Sequence, residues 1–253
     1  MEDNKFKNHF SNHAEEYGKY RPGYPGELFE FLSSITPSHD LAWDCATGSG
    51  QAALGLVKYF NKVIATDASE QQIKNAIQHE KISYNVAPAH KTKFPSKSVD
   101  LITVAQALHW FEFNRFYREV KRVLKRNGII AAWTYNLVSV SPEIDSVIKH
   151  FYFNVVGEFW PPERKLVENG YKSIPFPFHK LGSPSFSMTA KWTNKQLIHY
   201  IGTWSAVKSY KKCKGADPME WIEKELSSLW NNPSSIMEVC WPLSIVIGKN
   251  TTP

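Results

Sequence analysis

Residues 44–50, DCATGSG, place an acid ahead of a run of small residues. Small residues let the backbone approach a ligand closely, and a helix N-terminus after them favours a carboxylate or phosphate. The spacing fits neither the dinucleotide pattern G-x-G-x-x-G nor the P-loop pattern G-x-x-x-x-G-K-[ST]. A buried Asp44 would repel a pyrophosphate, but it can accept a hydrogen bond from an ammonium group, directly or through water. The turn therefore favours a ligand with an amino-acid moiety.

A second acid, Asp67, ends the next β-like run, KVIATD. An acid at this place in a nucleotide site accepts hydrogen bonds from both ribose hydroxyls. The ligand then needs a cationic amine, a carboxylate and a ribose, and S-adenosylmethionine has all three. The glycine pattern alone would equally fit an ordinary strand-to-helix turn, and Asp67 is what separates the two interpretations.

His109 follows the fourth apolar run, where a substrate would meet a transferable methyl group. Such a transfer is an in-line displacement, so the protein mainly positions and desolvates the reactants. A base is needed only if the acceptor must lose a proton. His109 could be that base, orient an acceptor oxygen, or hydrogen-bond its own loop. Trp110, Trp133, Tyr135 and Trp204 are candidates for an acceptor pocket, with core packing as the alternative explanation for each Trp.

The sequence contains no pattern typical of a metal site, a serine nucleophile or a disulfide framework. The nine His form no H-E-x-x-H and no i, i+4 pair with an acid, so no metal is expected. Ser49 lies in TGSG and not in a G-x-S-x-G elbow. The three widely spaced Cys indicate neither a disulfide framework nor a zinc site.

The elements that must position these residues alternate regularly between residues 40 and 135. Five short apolar runs alternate with helical patterns, which predicts βαβ crossovers and a mostly parallel sheet. Ser69, with Gln72 three places on, predicts the capped start of a helix that continues through residue 80. The carboxyl ends of parallel strands share one edge, so the turn after Asp44 and the end of the second run should meet there.

The flanking segments do not show this alternation of strand and helix patterns. Residues 1–39 are predicted to form an N-terminal helical lid, and 40–135 the cofactor-binding core. Residues 136–185, rich in Pro and aromatic residues, are predicted to form an inserted cap for the substrate. Residues 186–253 are predicted to complete the sheet with two further strands.

Composition bounds the class of protein. The chain has 253 residues, 42% of them hydrophobic and 14% aromatic, with nine Trp, so a sizeable core is available. The net charge of +6 is scattered, which favours an ordinary solvated surface over a nucleic-acid face. The chain contains no apolar signal or membrane-spanning run, and a soluble cytoplasmic protein is expected. The oligomeric state is left open.

Three segments together, DCATGSG, ATDAS and VDLITVAQALHWF, resemble the class I S-adenosylmethionine-dependent methyltransferases. YGKYRPGYP, FYREVKRVLKRNGIIAAW and TWSAVKSY more narrowly resemble the trans-aconitate methyltransferase-like (methyltransferase type 11) group. The resemblance covers nearly the whole chain and is thinnest in 136–185. It implies a Rossmann-like α/β/α sandwich whose seven-stranded, mostly parallel sheet has an antiparallel last strand, to which the composition of 136–185 adds an inserted helical and aromatic cap.

The resemblance also implies which residues contact the cofactor. They are Tyr20, Arg21, Asp44, Ala46, Thr47, Gly48, Gly50, Asp67, Ala68, Gln72, Ala89, His90, Gln106 and Ala107. The turn would hold the methionine part, and Arg21 could pair with its carboxylate. Ala46 replaces the usual first Gly, which is tolerable if its φ is negative. His90 replaces the usual acid near adenine.

Four functions remain in competition. The first is a methyltransferase acting on a small molecule, such as a carboxylic acid or another oxygen nucleophile. A nucleic-acid methyltransferase would carry an Asn/Asp-Pro-Pro-Tyr/Phe motif after the fourth strand, where AQALHW stands instead. A non-catalytic cofactor-binding module is kept open by Ala46 and His90. A nicotinamide oxidoreductase fits the fold alone, and the missing G-x-G-x-x-G counts against it.

Overall fold

The computed structural model describes residues 22–230, 232 and 234–251. Five parallel strands form the body of its sheet: β1 (Leu41–Cys45), β2 (Lys62–Asp67), β3 (Ile82–Val86), β4 (Val99–Ala105) and β5 (Leu124–Tyr135). Their spatial order is β3-β2-β1-β4-β5. Chain order reverses between β1 and β4, so the carboxyl ends of these two neighbours mark the place where ligands bind in such sheets.

Three antiparallel strands complete the sheet. The long strand β8 (Met237–Lys249) pairs with β5 through its second half, and β6 (His179–Leu181) lies along the outer side of that half. The first half of β8 pairs with β7 (Ser187–Trp192). The mostly parallel sheet with an antiparallel last strand is confirmed. The described residues form eight strands rather than the expected seven, because β8 is long enough to pair with β6 and β7 at different places.

Helices cover both faces of the parallel strands. α1 (Gly26–Ser34) and α2 (Gln51–Leu56) bury Leu, Phe and Ala side chains against one face. α4 (Phe113–Val123) buries Phe116, Val120 and Val123 against the other. Because both faces are covered, β4 is buried at every position except its last, including its two polar residues, Asp100 and Thr103.

The helix predicted from Ser69 to residue 80 is much shorter in the structure. The Ser69 hydroxyl does accept a hydrogen bond from the Gln72 N–H at 3.3 Å, so the predicted cap is confirmed. The helix, α3, covers only Glu70–Lys74. Beyond it the N–H of Ile77 donates to the carbonyl of Ser49 at 3.0 Å, which ties the segment to the glycine turn and takes it out of the helix.

A helical cluster with its own core lies beside the end of the sheet. It contains α5 (Pro142–His150), a π-helical turn after it, α7 (Asn194–Gly202), α8 (Ser205–Lys214) and α9 (Met219–Leu229). The short α6 (Arg164–Glu168) lies between α5 and β6 in the chain. The buried residues of this core come from both sides of position 185, the predicted end of the cap. The division of the chain into four segments stays a prediction.

No helix in the described ranges is both long enough and apolar enough to cross a membrane.

Candidate functional site

Asp44, at the end of β1, organises the turn that follows it. Its Oδ2 accepts hydrogen bonds from the Thr47 hydroxyl at 2.5 Å and the Ala53 N–H at 3.1 Å. Its Oδ1 accepts one from the Thr103 hydroxyl at 2.8 Å, on the neighbouring β4. One carboxylate therefore connects the turn, helix α2 and the adjacent strand.

The same carboxylate is fully buried, and burial raises the pKa of Asp44 to about 6 in spite of the hydrogen bonds from Thr47 and Thr103. Both oxygens already have protein donors. From the sequence, a ligand ammonium is expected to donate to Asp44 directly or through water, and in this arrangement neither carboxylate oxygen is exposed to accept such a bond. The structure shows Asp44 shaping the turn, and its inclusion among the cofactor-contacting residues stays a prediction.

The turn contains several residues in the left-handed conformation. Gly48 and Gly50 have φ angles of 54° and 86°, as small residues in a tight turn permit. Ala46 also has a positive φ, 56°, so the condition under which an alanine is tolerated here without strain, a negative φ, is not met. Gln106, at the end of β4, has the same φ of 56°. Two L-residues thus hold a conformation costing about 1–2 kcal/mol each at neighbouring strand ends, and such strain clusters at functional sites.

Asp67, at the end of β2, closes the turn from the other side. Its Oδ2 accepts a hydrogen bond from the Gly48 N–H at 3.0 Å, and its Oδ1 accepts one from the Ser69 N–H at 2.9 Å. Burial raises its pKa although the backbone N–H groups of Ser69 and Gly48 oppose the shift. The Oε1 of Gln72 lies 4.0 Å from where a Cβ on Gly48 would stand. The structure therefore brings together the predicted turn, Asp67 and Gln72.

Apolar side chains flank this edge on the β3 side. Val86, which lies opposite Asp67 in the sheet, is 53% exposed, and Ile77 is 42% exposed. The Ala87 N–H donates to the Asp67 carbonyl at 2.9 Å and brings the loop with Ala89 and His90 to the same edge. An exposed apolar wall next to a carboxylate is suited to a nucleoside, whose base is flat and whose ribose carries hydroxyls.

At the end of β4, Gln106 is fixed by hydrogen bonds to β5. Its Oε1 accepts from the Thr134 hydroxyl at 2.5 Å, and its Nε2 donates to the Tyr135 carbonyl at 3.2 Å. Ala107 follows and is buried, and the next residues form a 3-10 turn, Leu108–Trp110. The predicted acceptor-side residues His109 and Trp110 therefore lie beside the predicted cofactor residues Gln106 and Ala107.

His109 is held by Tyr171, with 2.9 Å between its Nδ1 and the Tyr171 Oη. Burial, and then the positive charge of Arg164, lower the pKa of His109 to about 3. The imidazole is therefore neutral at physiological pH. Tyr171 itself is 1% exposed and has a φ of 64°, so the hydroxyl that binds His109 is set by a strained, packed residue.

The remaining predicted residues are more buried than expected of a pocket wall. Trp133 has no exposed surface and packs edge-on against Tyr24, with 5.3 Å between ring centroids. Tyr135 and Trp204 lie in the core of the helical cluster. Their predicted contact with an acceptor stays a prediction. Tyr20 and Arg21 lie outside the described residues.

Sequence reasoning missed the residues that the helical cluster and α6 bring to this edge. They are Asn136, Tyr152, Trp160, Arg164 and Tyr171. The spacing of Trp160 and Arg164 by four residues could have indicated a stacked pair, but the two prolines between them obscured it. Tyr171 had a weaker signal, a preceding Gly that predicts a turn.

Comparison with known proteins supports one assignment. A family described as a methyltransferase domain matches residues 43–132, from within β1 to within β5. A Dictyostelium discoideum protein that carries a methyltransferase name is 34% identical over 97% of this chain and 96% of its own length. A solved structure of an Anaeromyxobacter dehalogenans protein, named a type II methyltransferase, is 41% identical, with a TM-score of 0.87 over 92% of this chain and 99% of that one.

A Saccharomyces cerevisiae protein named as an S-adenosylmethionine-dependent methyltransferase is 29% identical over 48% of this chain and 45% of its own length. None of these relatives tests the trans-aconitate methyltransferase-like group, which stays a prediction. The Dictyostelium and Anaeromyxobacter alignments span almost the whole chain. The strand order, with Asp44 and Asp67 at the ends of β1 and β2, is the one predicted for a protein that binds S-adenosylmethionine. The chain therefore belongs to the class I S-adenosylmethionine-dependent methyltransferases.

Proposed function

We propose that the protein transfers a methyl group from S-adenosylmethionine to an oxygen atom of a small molecule. The observation that carries this proposal is the setting of His109. It lies three residues after the cofactor-side residue Gln106, and the helix α6 packs against its turn. The acceptor side is thus faced by the cluster of aromatic residues around α6, which suits a small substrate better than a polymer.

In this proposal the cofactor lies along the carboxyl ends of β2, β1 and β4. Asp67 would accept hydrogen bonds from the ribose hydroxyls. One of these would replace a hydrogen bond that Asp67 accepts from the backbone N–H of Gly48 or Ser69 in the free protein. The methionine part would lie over the turn at Gly48, where a side chain would meet only Gln72. Val86 and Ile77 would contact the adenine face, and His90 its edge.

S-adenosylmethionine supplies a methyl group activated on a sulfonium. In the transfer, the acceptor oxygen would bond to the methyl carbon as the bond from that carbon to sulfur breaks, and S-adenosylhomocysteine would leave. A carboxylate needs no proton transfer, whereas a hydroxyl must lose one proton. The low pKa of His109 makes it a poor proton acceptor. Neutral His109, fixed at Nδ1 by Tyr171, is better suited to orienting an acceptor oxygen through its other nitrogen.

Isotope transfer tests this function. The protein is incubated with S-adenosylmethionine labelled in the methyl group and with three fractions of a cell extract: small molecules, proteins and nucleic acids. We expect label in the small-molecule fraction, and mild alkali should release it as methanol where the acceptor is a carboxylate. Label confined to nucleic acid or protein would contradict the proposal. Heat-denatured protein is the control.

A further inference from the structure

Arg164 brings a positive charge to the acceptor side of the edge. It is the first residue of α6, which packs against the Leu108–Trp110 turn after β4. Its Nη2 lies 3.4 Å from the Oδ1 of Asn136, the first residue after β5. The guanidinium therefore lies near the carboxyl ends of β4 and β5, beyond His109 as seen from the cofactor turn.

Two aromatic rings and one hydroxyl hold this guanidinium in place. Its central carbon is 4.8 Å from the ring centre of Trp160 and 5.4 Å from that of Tyr152. Its Nε donates to the Tyr152 Oη at 2.6 Å, and that hydroxyl donates to Glu168 at 2.7 Å. A stacked and hydrogen-bonded guanidinium loses little further freedom when it binds an anion, so the site is preorganised.

The charge of Arg164 is not paired within the described part of the chain. None of the ion pairs among the described residues includes Arg164. Glu168 reaches it only through the Tyr152 hydroxyl and lies on the exposed side of α6. The positive charge of Arg164 also acts on His109, where it contributes to the lowered pKa of the imidazole. A half-buried cation of this kind favours an anionic partner.

We propose that Arg164 binds an anionic group of the methyl acceptor, a carboxylate or a phosphate, and so determines which acceptors are used. This rests on the proposed small-molecule function. It adds a specificity-determining residue, with Tyr152 as the positioning residue that fixes the guanidinium. A purely structural Arg164 would affect stability and all acceptors alike, whereas a binding Arg164 discriminates by acceptor charge.

The test compares acceptors in matched pairs on the intact protein with labelled S-adenosylmethionine. Hydroxy acids are paired with their primary amides, lactate with lactamide and glycolate with glycolamide, and glycerol phosphate is paired with glycerol, so that both members of each pair keep a hydroxyl that can accept the methyl group. The small-molecule extract is also separated into anionic and neutral parts on an anion exchanger. The variants are Arg164→Gln and Arg164→Lys, and Arg115→Gln on the exposed face of α4 is the matched control.

We expect labelling of anionic acceptors, with carboxylates and phosphates distinguished by the pairs. In Arg164→Gln, kcat/KM for these acceptors should fall about 10- to 100-fold, mostly through KM, as expected for loss of one charge-assisted contact. Arg164→Lys should recover part of the loss, and Arg115→Gln should change nothing. Urea unfolding of each variant shows whether the fold is retained.

Two results would overturn the inference while the proposed function stands. One is labelling that appears only in the neutral part of the extract and on uncharged members of the pairs. The other is an Arg164→Gln variant that keeps its preference for anionic acceptors. Labelling in no small-molecule fraction at all would instead overturn the proposed function, and this inference with it.

Discussion

At the scale of single residues, the site contains two carboxylates that accept hydrogen bonds from the backbone around them. Asp44 and Asp67 each use both oxygens on protein donors, and together they hold the turn in a conformation with three positive φ angles, at Ala46, Gly48 and Gly50. These hydrogen bonds fix the backbone of the turn in the free protein, so little further ordering is needed when a ligand binds.

Replacing Ala46 with glycine should stabilise the protein. Glycine removes the cost of the left-handed conformation, about 1–2 kcal/mol for an L-residue. It also makes the unfolded chain more flexible, and this offsets roughly 0.4–1 kcal/mol of that stabilisation. A net gain of about 0.5–1 kcal/mol in the free energy of unfolding is expected from urea denaturation. The control is Ala68→Gly, in the loop after β2. Ala68 does not have a positive φ, so the added flexibility of the unfolded chain should make this variant less stable. Destabilisation of both variants would refute the assignment of strain to Ala46.

His109 should make the protein less stable in acid. Native His109 stays neutral down to a pKa of about 3, whereas an unfolded histidine takes up a proton below about pH 6.5. The unfolded state then binds more protons, so the free energy of unfolding falls as pH decreases from about 6.5, by up to about 1.4 kcal/mol per unit. The raised pKa of Asp44 acts in the opposite direction below about pH 6.

In the variant His109→Gln, which can still bond Tyr171, the acid slope of stability between pH 6 and 4 should therefore be smaller than in the wild type. Urea unfolding at several pH values measures the slope. His179→Gln, on the exposed edge strand β6, serves as the control and should retain the wild-type slope. An unchanged slope in His109→Gln would show that this histidine titrates normally in the native state.

At the scale of elements, the glycine turn depends on close contact between α2 and β3. Gly50 precedes α2 with a φ of 86°, and a Cβ placed on it would collide with the Tyr84 hydroxyl. That hydroxyl donates to the Ile77 carbonyl at 2.6 Å, and the Ile77 N–H bonds the Ser49 carbonyl. Tyr84 thus fastens the segment after α3 against the turn.

Gly50→Ala should consequently cost about 2 kcal/mol or more, from backbone strain and from displacement of Tyr84. In the background of Tyr84→Phe the same change should cost about 1 kcal/mol less, because the colliding oxygen is gone. Chemical denaturation of the single and double variants measures this coupling. Gly215→Ala is the matched control, since Gly215 has a φ of 66° but open space around it. Strict additivity of Gly50→Ala and Tyr84→Phe would refute the steric account.

At the scale of the whole molecule, β8 joins two cores. Its first half pairs with β7 and buries Val239 and Trp241 in the helical cluster, while its second half pairs with β5 and buries Ile247 in the sheet. The cluster is thus anchored to the same strand that completes the sheet. This fixes the aromatic residues of the cluster relative to the carboxyl ends of β4 and β5.

Much of this organisation follows from local sequence patterns. The alternation of apolar runs and amphipathic helices predicts the parallel sheet, and the acids at the ends of β1 and β2 predict the cofactor edge. The sequence left the sign of the φ of Ala46 open, because the turn is held by hydrogen bonds of Asp44 and Asp67 to residues distant in the chain. The early end of α3 has the same origin, since the competing partner of Ile77 lies about 28 residues away in the chain.

The acceptor side was the least predictable. Arg164, Tyr152 and Asn136 are separated in sequence and have no shared periodicity, and only the packing of α6 brings them to one place. Long-range contacts of single side chains leave no pattern that propensity or spacing detects. For Trp133 and Trp204 the sequence left an acceptor pocket and core packing as alternatives, and both side chains are buried in the structure.

The most direct test of the central claim is calorimetric binding of S-adenosylmethionine and S-adenosylhomocysteine, with NAD for comparison. The wild type should bind the first two and not NAD. Asp67→Ala should weaken both at least tenfold, about 1.4 kcal/mol, through loss of the acceptor for the ribose hydroxyls. Asp40→Ala, an exposed acid beside the opposite end of β1, should bind as the wild type does. Unchanged affinity in Asp67→Ala, or no binding by the wild type, would contradict the account.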